Sequence, residues 1–240
     1  MWIWLGAKDD ADASLIPNCF SLDDPGWAYK PGYFRYDASH RLIIDNLLDF
    51  SHLAYVHPTT LGGTETATRS KVSRNGSGVR IERWLLGDEP APFHTKIQAF
   101  DGKVDRWWFY DFLLPGVLVM HSGVQAENTG AQDGQHAGAL EFRSCQAVTP
   151  ETRRSSHYFF AVPRNFALND GRVNESIYEN IVCAFDEDRR IIEAQQQRID
   201  LDPLARMVPI GADAALNHFR ALADKQLAAE ADAGLRAARA

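Results

Sequence analysis

The stretch "DNLLDFSHLAYVHPTTLGG", residues 45–63, places Asp45, Asn46, Asp49, His52 and His57 among Leu47, Leu48, Phe50, Leu53, Tyr55 and Val56. Imidazoles and carboxylates are the side chains that hold metal ions and move protons. Here they are threaded through an apolar segment that reads as a helix over about residues 41–57. On an ideal helix, five residues turn through about 500°, so His52 and His57 would stand about 140° apart. A zinc-protease helix spaces its histidines by four, with Glu after the first. Neither feature is present, so two imidazoles meeting at one ion require the helix to bulge or to end between them. Pro58 favours an end there. Asn46, Asp49 and His52 make a polar line at i, i+3 and i+6, which on most helices is simply the wet face. The surrounding leucines and Phe50 leave little room for such a face. The polar line therefore points into a protected interior, where polar groups need a partner and a metal can be one.

Two histidines leave one carboxylate to find. A 2-His-1-carboxylate set occupies one face of an octahedron and leaves the other positions open, the arrangement of non-haem Fe(II) sites. The segment "CAFDEDRRIIEAQQ" offers Asp186, Glu187 and Asp188 in a helical context. Residue type alone does not choose among them, and an acidic run before Arg189–Arg190 also fits a solvated face.

The elements that must carry these groups divide into three zones. "YFRYDAS" (33–39) alternates like a strand ahead of the helix, and Pro58 leads into the turn-rich "TTLGGTETATRS". From 70 to 165 the signals are mostly β: "SGVRIERWLL", "KVDRWWFYDFLLPG", "VLVMHSGVQ", "ALEFRSCQAVTP" and "RRSSHYFFAVPRNF", with a polar loop at 126–138. From 172 a helical period returns through Ile177, Ile181, Ala184, Phe185, Ile191 and Ile192, and an Ala-rich helix ends the chain. No repeat or linker divides it. The reading is α+β: an antiparallel sheet with helices on one side.

Composition sets the outer limits. The chain has 240 residues, 45% hydrophobic and 24% charged, enough for a substantial core without staples. A net charge of −7 and no extended basic cluster argue against nucleic acid or an anionic membrane as partner. The three scattered cysteines make a disulfide framework improbable and suit a reducing cytoplasm. The opening "MWIWLGAKDD" is too short for an anchor and lacks a basic leader; it reads as a short buried strand.

At this point the residues resemble a known family. "DNLLDFSHLAYVH" is similar to the iron-binding motif in the catalytic domain of Rieske non-haem iron oxygenases, of the vanillate and dicamba O-demethylase type. "AVTPETRRSSHYFFAVPRNF" resembles that group's central strand pair, and "AFDEDRRIIEAQQ" its carboxylate-bearing helix. The resemblance covers roughly residues 1–235. It implies a helix-grip fold, an antiparallel sheet curved around helices, with an apolar cavity between them. It implies Fe(II) on His52, His57 and Asp188, rather than on Asp186 or Glu187. Asp49 would join a ligand histidine to a cluster-ligating histidine of a neighbouring subunit and pass electrons. Asn46 would sit near the iron. Trp108, His121, His157 and Phe159 lie on strands and are candidates to face the cavity and substrate.

The same resemblance implies O2 and an aromatic acid as reactants, a reductase or ferredoxin as electron donor, and a homotrimer as one possible assembly. It also implies a Rieske [2Fe–2S] cluster on two Cys and two His, and this sequence contains no such pairs. Residues 1–20 then read as the last strand of a Rieske domain and a linker, and 21–240 as the mononuclear-iron domain. The main rival is a metal-free ligand-holding cup or partner subunit of the same fold. A metal hydrolase ranks lower, because no general-base Glu stands beside either histidine.

Overall fold

The computed structural model describes residues 2–4, 6–62, 70–204 and 206–237. Seven antiparallel strands form one sheet: β1 (Gly32–Tyr36), β2 (Lys71–Asn75), β3 (Gly78–Asp88), β4 (Val104–Leu113), β5 (Val117–Ala126), β6 (Leu140–Pro150) and β7 (Ser156–Ala161). Their spatial order is β1-β7-β6-β5-β4-β3-β2. β2 to β6 are successive neighbours; short turns join β2 to β3 and β4 to β5, the short helix α3 (Pro92–Thr95) lies between β3 and β4, and the 127–139 loop lies between β5 and β6. The chain returns through β7 to pair with β1 at the far edge, which brings the segment before the first helix into the sheet.

Side chains alternate across a strand, so pairing register decides which face each residue joins. Trp108 pairs with Arg83 and Ser122, Tyr110 with Ile81 and Met120, and Phe112 with Val79 and Leu118. These residues stand on the inner face, where Tyr110, Phe112, Leu118, Phe142, Tyr158 and Phe160 enter the main core. Helices α1 (His40–Leu48), α4 (Gly171–Leu201) and α5 (Ala214–Ala237) cover that face. The result is the α+β helix-grip arrangement. On α4 the buried positions are Ile177, Ile181, Ala184, Phe185, Asp188, Ile192 and Gln196, one stripe at helical spacing. Each fully buried Ile or Phe of this stripe contributes roughly 1.5–3 kcal/mol of burial. Two side chains of α4 accept hydrogen bonds from the segment before α1. Glu193 Oε1 accepts from Asp37 N at 3.0 Å, and Gln196 Oε1 accepts from Ser39 N at 3.0 Å. Arg164 of "RNF" is wholly buried, and its guanidinium donates to the carbonyls of Ala28, Ala167 and Asp170.

Two expectations are corrected here. The helix expected over 41–57 is two pieces, α1 and the single turn α2 (Leu53–Val56), because Asp49 is extended at φ −105° and ψ 110°. The break has a local cause: the Asp49 carboxylate accepts from Ser51 N at 2.7 Å, an Asx turn that competes with helical bonding. Tyr110 Oη then donates to the Leu47 carbonyl that the broken helix leaves open, at 2.7 Å. The second correction concerns the expected buried strand at the start. Trp2, Ile3 and Trp4 are exposed and form no strand in the sheet; Met1 and Leu5 lie outside the described residues. So does much of the turn-rich run after Pro58, at 63–69. No helix among the described residues is long and apolar enough to cross a membrane.

Candidate metal centre

The break at Asp49 is what brings the histidines together. His52 sits at the start of α2 and His57 at its end, with their rings 5.2 Å apart between centroids. Across from them, α4 presents Asp188 from its buried stripe. His57 Nε2 lies 3.1 Å and His52 Nε2 3.5 Å from Asp188 Oδ1. One ligand atom from each of the three residues falls within a 4.8 Å cluster. Metal–ligand bonds of about 2.0–2.2 Å meeting near right or tetrahedral angles separate their ligand atoms by roughly 3–3.5 Å, so the spacing suits one small divalent ion.

The hydrogen bonds settle what those atoms offer. His52 Nδ1 donates to the Asp49 carbonyl, and His57 Nδ1 donates to Glu187 Oε2 at 2.8 Å. Each neutral ring therefore turns its Nε2 lone pair toward the Asp188 oxygen. His57 is fully buried and its Nε2 has no hydrogen-bond partner. Two lone pairs and a carboxylate facing one another repel unless a cation or a proton lies between them, so the donor set fits a metal. Without an ion the two histidines shift in opposite directions. Burial pulls the His52 imidazole below its ordinary pKa, with Asp188 opposing. Burial also acts to lower His57, but Asp188 and Glu187 outweigh it and hold it up.

The three acids of "DED" take three different jobs. Asp188 faces the histidines. Glu187 holds His57 and is itself fixed by Thr60 Oγ1, which donates at 2.7 Å. Asp186 pairs with Arg189 and Arg190 on the outside of α4. Asn46 Nδ2 donates to Asp188 Oδ1 at 3.0 Å. Asp49 also differs from expectation in one respect. It is the backbone carbonyl, not the carboxylate, that holds His52, because the carboxylate is turned to Ser51.

Of the four strand residues expected to face a cavity, only Trp108 stands on the inner face, where Phe50 and Arg106 pack against its ring. His121, His157 and Phe159 are on the outer face and are corrected accordingly. His121 pairs across the sheet with Phe109 and Arg143, and it joins His136 and Glu141 in a cluster beside Trp107. His136 Nδ1 lies 2.9 Å and His121 Nε2 3.0 Å from Glu141 Oε1, and Asn165 Nδ2 donates to Glu141 Oε2. His157 meets Tyr33 at 2.9 Å, and Phe159 is 48% exposed beside it. Sequence reasoning named Glu187 only as a possible ligand, not as the partner behind His57, and it missed Thr60 and Arg83, whose guanidinium packs over Phe50 and Trp108.

Comparisons with known proteins agree with this geometry. The family described as vanillate O-demethylase oxygenase C-terminal domain matches residues 36–229. An iron–sulfur subunit of a toluene-4-sulfonate monooxygenase system, TsaM1 of Comamonas testosteroni, is 44% identical over 235 residues, 96% of this chain and 68% of the relative. A vanillate O-demethylase oxygenase subunit from a Pseudomonas strain is 30% identical, over 96% of this chain and 72% of the relative. A crystal structure of dicamba monooxygenase bound to 3,6-dichlorosalicylic acid superposes with a TM-score of 0.85 at 25% identity, over 95% of this chain and 68% of that one. The chain therefore belongs to the vanillate O-demethylase oxygenase C-terminal domain family, the catalytic part of the oxidoreductase components of Rieske-type oxygenase systems.

Proposed function

We propose that this chain is the mononuclear non-haem iron domain of an oxygenase that inserts oxygen into an anionic aromatic compound. The observation that carries this reading is the convergence of two histidine lone pairs and the Asp188 oxygen, with both histidine tautomers held from behind. Fe(II) bound by His52, His57 and Asp188 would supply O2 activation at the positions the three ligands leave open. A solved dicamba monooxygenase of this fold contains non-haem iron.

The protein's own residues hold and shield that site. The Asp49 carbonyl and Glu187 keep Nε2 of each histidine unprotonated and raise ligand basicity. Thr60 keeps Glu187 aimed, and Asn46 restrains the Asp188 carboxylate. Phe50 and Trp108 form an aromatic wall next to the α1–α2 break, which supports the docking of a flat ring and exclusion of water. The reaction balances as substrate C–H plus O2, two electrons and two protons giving C–OH and water. At a methyl ether, the hydroxylated carbon is a hemiacetal, which collapses to a phenol and formaldehyde.

The two electrons come from a Rieske [2Fe–2S] centre served by a reductase or ferredoxin. Cys19, Cys145 and Cys183 are not arranged with histidines to hold that cluster, so another polypeptide segment or subunit supplies it. Asp49, whose carbonyl holds His52, would pass the electrons from such a centre on a neighbouring subunit, as in a head-to-tail homotrimer, and residues 1–20 would be the last strand of that domain and a linker. A cytoplasmic setting suits this chemistry.

Anaerobic titration with Fe(II) tests the metal reading. About one ion per chain should bind, and the binding should vanish in His52→Ala and His57→Ala variants that keep the native melting curve. A folded chain that takes up no iron points instead to a metal-free ligand cup.

A further inference from the structure

Arg83 is a charged group without a job in the fold. It lies on the inner face of β3 and is 7% exposed. The guanidinium has five N–H donors, yet among the described residues none is given to an acceptor, and Nε is buried with no partner at all. Its neighbour on the same face, Arg106, shows what a structural arginine looks like here. Arg106 pairs with Asp88 at 3.2 Å and donates to the carbonyls of Leu61 and Gly62. Arg83 has only aromatic rings. Its Cζ lies 5.2 Å from the centroid of Phe50 and 5.6 Å from that of Trp108. Phe50 is two residues from His52, and Trp108 is the cross-strand partner of Arg83.

An uncompensated buried guanidinium lowers stability. Cation–π contacts recover part of that cost but leave the planar edge of donors unsatisfied. That edge is the shape that receives a carboxylate or sulfonate in two parallel hydrogen bonds. Burial also weakens its hold on its proton, with Tyr110 and Asp88 opposing.

We propose that Arg83 is the specificity-determining residue that binds the anionic headgroup, sulfonate or carboxylate, of the aromatic substrate. The ring then lies along Phe50 and Trp108 toward His52. This deepens the function proposed above and rests on it for the direction in which the ring points, but anion binding at Arg83 does not itself require iron.

The test is calorimetric binding to the purified chain of three probes that share one ring: toluene-4-sulfonate, 4-methylbenzoate and the neutral methyl 4-tolyl sulfone. The wild type should bind at least one anion more tightly than the sulfone, and added salt should weaken only the anion. Arg83→Met should bind the anions about 10- to 100-fold more weakly, bind the sulfone unchanged, and melt no lower than the wild type because a buried charge is gone. Arg83→Lys keeps the charge without the fork and should fall between. The two anions divide the outcome by headgroup geometry, tetrahedral or planar. Wild-type affinity for both anions in a folded Arg83→Met chain overturns the proposal. So does a wild type that binds the sulfone as tightly as the anions, a result that holds even if Arg83→Met does not fold. Iron titration of the same samples separates this from the metal reading. Arg83→Met should take up iron normally, and Arg83-dependent anion binding in a chain that takes up no iron would leave only the metal reading in error.

Discussion

Glu187 offers the most informative single perturbation, because the acidic triplet assigns its three members to three different environments. Its carboxylate receives His57 Nδ1 at 2.8 Å and Thr60 Oγ1 at 2.7 Å. His57 is fully buried, so truncating Glu187 to Ala removes the acceptor that the protein gives its Nδ1–H. A buried donor left without a partner costs about 1–3 kcal/mol. Much of that appears as weaker metal binding, since the imidazole regains a bond by rotating or by moving its proton to Nε2, the atom the metal needs. Outer-sphere partners of ligand histidines typically contribute 10- to 100-fold in metal affinity, or about 1.4–2.8 kcal/mol. Glu187→Ala should therefore weaken Co(II) binding, followed anaerobically by its visible absorption, by about 10- to 100-fold. Glu187→Gln keeps an acceptor oxygen and should lose less. Asp188→Ala should abolish stoichiometric binding. Asp186→Ala should leave it unchanged, because Asp186 serves only Arg189 and Arg190. Wild-type affinity in Glu187→Ala, or loss of metal in a folded Asp186→Ala chain, would refute the assignment.

Two further outcomes follow from packing and burial. A Cβ at Gly123 would lie 2.1 Å from the Trp107 ring, and Trp107 is fully buried beneath the 127–139 loop. Gly123→Ala should destabilise the domain by about 1–3 kcal/mol in urea unfolding, with metal affinity unchanged. His94 is held well below its ordinary pKa of 6.5 by burial and then by Arg106. The unfolded chain therefore takes a proton below pH 6.5 that the folded chain refuses, and stability falls as the pH drops from there toward the folded value. The contribution is about 1.4 kcal/mol per pH unit once the unfolded group is fully charged. Unfolding curves at pH 7, 6 and 5 should show a shallower acid loss in a folded His94→Gln variant, and an unaltered slope would show that His94 is not the group responsible.

How far the site could be read in advance depended on local periodicity. Asp188 was within reach of periodicity alone. It stands four residues after Ala184 and four before Ile192 on the apolar stripe of α4, whereas Asp186 and Glu187 fall off that stripe. A carboxylate on a buried face needs a partner, and the only question is which. The break at Asp49 also had a local signal in "DFS", where Asp can accept from the backbone two residues on. The strand faces were another matter. β5 reads Val117, Leu118, Val119, Met120 and β7 reads His157, Tyr158, Phe159, Phe160, apolar or aromatic on both phases. With no alternation, nothing local says which phase turns inward, and only the sheet register puts His121, His157 and Phe159 on the outer face.

By itself the sequence determined the class of elements, the two-histidine segment and the need for a carboxylate, because these rest on residue type and short-range period. Tertiary structure decided the rest. Register across seven strands chose the inner face and put Arg83 beside Phe50 and Trp108. The docking of α4 against the α1–α2 break brought Asp188 to the histidines and Glu187 behind one of them. Those contacts join residues about 130 positions apart in the chain, and only the packed core, not any local preference, holds them within a few ångströms.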